Sequence, residues 1–336
     1  TSMHTNLLRY FRSSLPGDVS TMVDATRDFP DVEWTWTYPI VGRAPDGNVF
    51  AMLRASDRSL TGEIKRASFL YQYDITSRLW SRFAHVAEQD QRAVYPDDMH
   101  VNSAGVHLIY EWAKYEASAV RHVGEYGVIG NDGLMRNVSG TVFDMPVTQG
   151  QLAYKPLYPG EDPNISNALI IGIQSAKFAF SGESLSHITF RFREINDPTG
   201  TAFTNFRVKN SIWNGTAWIE EELAYVPPEI GNTSAALAAT VQGVKKRVYF
   251  SVEYTSSGST VAVIVLAENA GTGWVYSILG DSAPTLLRLG SAPGVGGDVI
   301  YVSSPYSGKV SRYFVPSDYT PSTSYTNFND LLAALT

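Results

Sequence analysis

YPDDMHVNSAGVHLIYEWAKYEASAVRHVGEYG, residues 95–127, decides how this chain is read. Two apolar, β-branched and aromatic runs flank SerAlaGly at 103–105, the pattern of a β-hairpin, and a further β-rich run, AVRHVGEYG, follows. The segment carries three of the six histidines, His100, His107 and His122, beside Asp97, Asp98, Arg121 and five aromatic residues. Imidazole titrates near neutral pH, so a histidine cluster is a natural place to look for acid–base chemistry. Alternation puts His122 on one face with Val120, and His107 on one face with Ile109 and Glu111. For His107, packing is the favoured reading.

The same unit recurs outward from this stretch. Turn residues at Asp46–Gly47, Ser103–Gly105, Ser181–Glu183, Gly243–Lys246 and Gly296–Asp298 each precede a strand: NVFAMLRAS, VHLIYEWAK, LSHITFRFRE, RVYFSVEYT and VIYVSSPYS. Helical periodicity is confined to short stretches from Ala235 and Asp330. Repeated short strands read as propeller blades, and at ~45 residues per blade the 336 residues make roughly seven. The expectation is an all-β chain, one seven-bladed β-propeller domain over 1–336. Its N-terminal strands would pair with the C-terminal ones and leave no free sheet edge. A β-sandwich pair is the alternative.

Composition narrows the function. Charged residues make up 18% and the net charge is −7, which speaks against a nucleic-acid partner; an anionic ligand would need a local basic patch. Arg191, Arg193, Arg207, Lys209, Lys245, Lys246 and Arg247 stand on successive strands and would form that patch if their loops converge. The absence of cysteine excludes disulfides and thiolate chemistry. No apolar run is long enough to span a membrane. No P-loop, dinucleotide fingerprint or GlyXSerXGly elbow occurs, and three histidines without a well-spaced carboxylate give a metal site little support.

Three blocks resemble the β-propeller polysaccharide lyases that cut ulvan, families 24 and 25, and the related rhamnose–glucuronate lyases. They are SMHTNLLRYFRSSLPGDVSTM at 2–22, DDMH followed by HLIYEWAKYEASAVRHVG, and GIQSAKFAF at 172–180. The resemblance implies a lyase that cleaves at O4 of a glucuronate by β-elimination in an anionic polysaccharide such as ulvan, with no cofactor required. It implies His100 and His122 as a pair that handles the proton and the carboxylate, and Arg191 as the carboxylate's partner. The family's acidic Tyr would fall near Gln174 or Ser175, where none stands; Tyr158 is the substitute, with Tyr115 and Tyr154 as alternatives. His4, Tyr115, Arg193, Arg207 and Arg247 are the expected substrate contacts. The expected protein is a secreted monomer, without nucleic-acid or membrane partners. A rhamnose–glucuronate lyase acting at chain ends and an inactive carbohydrate-binding propeller are the competing readings.

Overall fold

The structure, a computed structural model, describes residues 7–55, 66–115, 121–159, 161, 172–193, 207–227, 229–283, 288–294, 296–304 and 309–336. It is an all-β propeller in two compact units, Thr1–Ser118 with Val123–Pro156, and Ala119–His122 with Leu157–Thr336.

The first unit holds two blades. Blade 1 runs Trp36–Arg43, Val49–Ala55, Ser68–Asp74 and Leu79–Ala87, each strand antiparallel to the next. Blade 2 runs Arg92–Asn102, Gly105–Lys114 and Arg121–Gly130, and ends in short strands Met135–Arg136 and Val142–Phe143; Ala153–Lys155 also pairs with Arg121–Gly130. A two-stranded sheet, Phe11–Ser13 with Met22–Asp24, precedes them. The second unit holds blade 3 (Ile173–Ser181, Ser184–Phe192, Arg207–Trp213, Trp218–Tyr225) and blade 4 (Gly231–Gln242, Lys245–Ser256, Ser259–Asn269, Trp274–Ala283). Blade 5 has three strands, Arg288–Gly294, Gly297–Ser304 and Lys309–Pro316, and a helix, Phe328–Leu335, closes the chain.

The described residues therefore build five blades, which corrects the expected seven. Blades begin at Trp36, Arg92, Ile173, Gly231 and Arg288, so each takes more chain than the ~45 residues assumed. The excess falls between the described strands, in stretches such as 56–67 and 193–206.

Period-two alternation makes each sheet two-faced. On Gly105–Lys114, Val106, Leu108, Tyr110 and Trp112 join Phe50, Met52 and Leu70 of blade 1 in one buried cluster. Each large apolar side chain buried this way contributes about 1.5–3 kcal/mol. His107, Ile109 and Glu111 alternate onto the opposite face, also buried. The hairpin turn needs its glycine: Gly105 has φ +137°, and a Cβ there would stand 2.1 Å from the Ile129 carbonyl oxygen.

Blades 3 and 4 share a core that includes Val208, Leu223, Val248 and Phe250, onto which the terminal helix lays Phe328, Leu331 and Leu332. Blades 4 and 5 meet through Tyr249, Ile264, Leu266, Leu289, Ile300 and Val302. Arg247 belongs to this interior. Fully buried, it donates to Glu268 Oε2 at 2.7 Å, Asp298 Oδ2 at 3.1 Å and the Pro316 carbonyl at 2.9 Å, while Tyr249 donates to the same Asp298 oxygen at 2.7 Å. The expected substrate contact at Arg247 is thus corrected to an internal bolt between blades 4 and 5. A buried guanidinium needs these acceptors, and they occupy its donors.

Candidate functional site

The histidines of the opening stretch fall into two clusters of different chemistry. His100 stands opposite His107 in the blade 2 register, near the hairpin turn, with ring centroids 6.1 Å apart. His107 is buried, with Nε2 2.9 Å from Asn102 Oδ1 and Nδ1 2.7 Å from the Tyr126 hydroxyl. Asn102 Oδ1 also accepts from the Ala104 backbone N–H at 2.9 Å, which fixes it as the oxygen. His107 must then donate through Nε2, and in its neutral form it accepts from Tyr126 through Nδ1. Burial raises the Tyr126 phenol well above its ordinary range, so it stays a donor. This is the packing role expected of His107.

His122 opens the strand Arg121–Gly130 at the end away from that turn, since Gly105 approaches Ile129 and Gly130 at the other end. Its neighbour is a carboxylate: Nδ1 lies 3.6 Å from Glu161 Oε1, with the two side chains 1% and 4% exposed. The expected pair of His100 with His122 is thus replaced by His100 beside His107 and His122 beside Glu161. The segment 158–161 holds Glu161 by a tight turn, in which its N–H donates to the Tyr158 carbonyl at 3.0 Å and Tyr158 N–H donates to Glu161 Oε2 at 2.6 Å. Gly172 completes the cradle. A Cβ on it would sit 2.5 Å from the Arg121 carbonyl, 3.1 Å from His122 Nδ1 and 3.3 Å from Glu161 Oε1. Its own carbonyl accepts from Arg193 N–H at 2.8 Å.

The Tyr158 side chain extends the cluster. Its ring packs edge-on against Phe192 at 4.9 Å, and its hydroxyl donates to Glu220 Oε2. Lys209 Nζ donates to the same hydroxyl at 3.2 Å and lies 4.7 Å from both the Tyr158 and Phe192 ring centroids. Lys209 also stands 3.6 Å from Glu220. Arg191 and Arg193 are both 1% exposed. The backbone N–H of Arg193 reaches the His122–Glu161 cradle through the Gly172 carbonyl.

The other expected contacts are scattered. Arg207 donates to Glu222 at 2.8 Å and lies 4.2 Å above the Tyr225 ring. Tyr115, in the first unit, stacks under the Arg66 guanidinium at 4.4 Å. His4 lies outside the described residues, whereas Tyr154 is buried in the first unit. Among the described residues, no group of three or more metal-ligating side chains converges, and no helix is long and apolar enough to cross a membrane. Glu161 and Glu220 escaped the sequence reading. The only signal for Glu161 was its place in the Pro- and Gly-containing loop KPLYPGEDPN.

A family model described as a BNR repeat-containing family member matches residues 1–178. No curated protein matches the chain. Among solved structures, the chain is similar to a polysaccharide lyase PL25 ulvan lyase bound to -[GlcA(1-4)Rha3S]-, with TM-score 0.58 and 13% identity over 93% of this chain and 70% of that one. A second structure titled as the PL25 ulvan lyase gives TM-score 0.60 and 12% identity over the same shares. An α-L-arabinanase of Penicillium chrysogenum, complexed with arabinobiose, gives TM-score 0.50 and 10% identity over 84% of this chain and 81% of that one. At such identities the likeness is one of fold.

Proposed function

The chain belongs to the BNR repeat-containing family, and from that footing we propose that it is a polysaccharide lyase that cleaves at O4 of a glucuronate in an anionic, ulvan-like polymer by β-elimination. The observation that carries this reading is the carboxylate of Glu161, which faces the His122 imidazole and binds the Tyr158 backbone. It joins a base, a phenol and the Arg193 backbone in one small region.

In the reaction, the bond from C5 to hydrogen breaks and its electron pair forms the C4–C5 double bond. The bond from C4 to O4 breaks as that double bond forms, and O4, which leaves with the bonding pair, takes up a proton. His122 removes the C5 proton through Nε2, because Nδ1 is turned to Glu161. Tyr158 supplies the proton to O4, and the Lys209 ammonium 3.2 Å from its oxygen offsets the negative charge left behind. Arg191 or Arg193 meets the uronate carboxylate, whose neutralisation lowers the cost of the carbanion-like transition state. Such a polymer lies outside cells, so the protein is proposed to act after secretion.

One observation favours a second reading, an inactive carbohydrate-binding propeller: the Tyr158 hydroxyl already donates to Glu220. Incubation with ulvan, followed by ultraviolet absorbance of the new conjugated double bond, separates the two. A rise abolished by His122→Ala supports elimination. A flat trace, together with retained binding of the polymer, supports the binder.

A further inference from the structure

Away from the His122 cluster, the second unit contains a cleft of about 470 Å³ lined by the outermost strands of blades 3 and 4 and by the segment entering the terminal helix. Trp274, Tyr225, Tyr276, Glu222, Asn327 and Asn329 are among its walls. Its volume and its aromatic lining with a few polar groups match those of small-ligand sites.

Two of the aromatic walls are locked by polar partners. The Trp274 indole N–H donates to Glu221 Oε2 at 2.9 Å. The Tyr225 ring lies under the Arg207 guanidinium, 4.2 Å from the centroid, and Arg207 is held in turn by Glu222 Oε2 at 2.8 Å. Tyr276 is anchored by reciprocal backbone hydrogen bonds with Tyr325, at 2.8 and 2.9 Å. Rings fixed before a ligand arrives lose little freedom on binding it, which is what a stacking platform requires.

We propose that this cleft is a saccharide site that takes an uncharged pyranose, its C–H face against Trp274 and Tyr225 and its hydroxyls toward Glu222 and Asn329. The preference for an uncharged ring follows from the local charge, two carboxylates, Glu221 and Glu222, against one guanidinium, Arg207. The Tyr276 phenol reports the same field, pushed up to about 12 by burial and then by Glu221 and Glu222. A uronate or a sulfate ester would be repelled there. The site would give a polymer-handling protein a second grip, at a position where the sugar is not the one being cut. It does not depend on elimination at His122.

The test is calorimetric titration of the whole chain with L-rhamnose, D-glucose and D-glucuronate, repeated on Trp274→Ala, Tyr225→Ala and Asn329→Ala. The expected result is binding of a neutral sugar, glucuronate weaker by at least about tenfold, and a loss of about tenfold or more in Trp274→Ala and Tyr225→Ala. Asn329→Ala, at the exposed rim, should weaken binding several-fold, and it stands in should an aromatic variant fail to fold. Thermal unfolding identifies such a failure. Absence of neutral-sugar binding in the parent chain, equal affinity for glucuronate, or full affinity in folded variants would each overturn the assignment. None of these outcomes bears on whether ulvan is cleaved.

Discussion

His107 and His122 come from the same short stretch of sequence, lie buried on neighbouring strands of one blade, and are built for different work. The partners of His107 include an amide oxygen and a phenol, with a second imidazole 6.1 Å away. The amide oxygen fixes its Nε2 as a donor. His122 instead faces a buried carboxylate that can hold it in orientation and balance the imidazolium formed when it takes a proton. What distinguishes a catalytic candidate from a packing histidine is therefore the charge of its partner. Burial is nearly the same for both.

Replacing His122 by Ala should have the largest effect, a fall in elimination rate of ~10²–10⁴-fold, beyond what the lost buried ring takes from the melting temperature. His107→Ala should do the reverse and leave the rate nearly intact. An equal loss of rate in both variants, measured on folded protein, would erase the comparison.

Glu125 sharpens it from the carboxylate's side. This residue shares a strand with His122, but its own partners are neutral: Tyr110 donates to Oε2 at 3.0 Å and the Gly150 N–H donates to Oε1. Burial pushes its carboxyl up to about 7. A folded-state value above the unfolded one means that the native chain holds the extra proton. Its stability contribution is complete below about pH 4 and is lost as pH rises toward 7, by up to roughly 3 kcal/mol. Denaturant unfolding at pH 5 and pH 8 should show that decline, and Glu125→Gln should flatten it. A slope unchanged by the substitution would mean that the carboxyl is already ionised at pH 5.

Strands and turns were legible because they depend on local chemistry: the five turns read from Gly, Asp and Ser all lie between consecutive strands of a blade. The blade count was not, because connections carry no periodicity. A second repeat marks three of the five blades. Asp74, Asn214 and Asn269 each open the last hairpin of a blade with a side chain that accepts turn N–H groups, and Trp80, Trp218 and Trp274 follow at the start of the outer strand. The fate of Arg247 was illegible for another reason. On a strand of alternating residues, a charge reads as solvated, and only the packing of blade 5 shows that Asp298 and the Pro316 carbonyl wait for it. Glu161 stands 39 residues from His122, in a loop with no pattern to place it.

Tyr126→Phe probes the neutral cluster more gently, since it removes one hydroxyl and leaves the ring. His107 Nδ1 would lose its donor inside the sheet, and an unmet buried acceptor costs about 1–3 kcal/mol. The melting temperature should fall while turnover stays at the parent value. A loss of turnover without a loss of stability would move the reaction to the His100–His107 side and away from His122.

The smallest expected change is the most discriminating. Glu161→Gln keeps the length and shape that receive the Tyr158 N–H, so the turn at 158–161 can persist. What it removes is the negative charge 3.6 Å from His122 Nδ1. If Glu161 only braces the loop, kcat and KM should both stay near their parent values. If it balances the imidazolium formed as His122 takes the C5 proton, its charge matters more in the transition state than in the bound substrate. Then kcat should fall by about tenfold with KM nearly constant, roughly 1.4 kcal/mol of lost stabilisation. Glu161→Asp, which restores the charge at a longer reach, should recover part of that rate. A rise in KM alone would make Glu161 a substrate contact and leave His122 no different in kind from His107.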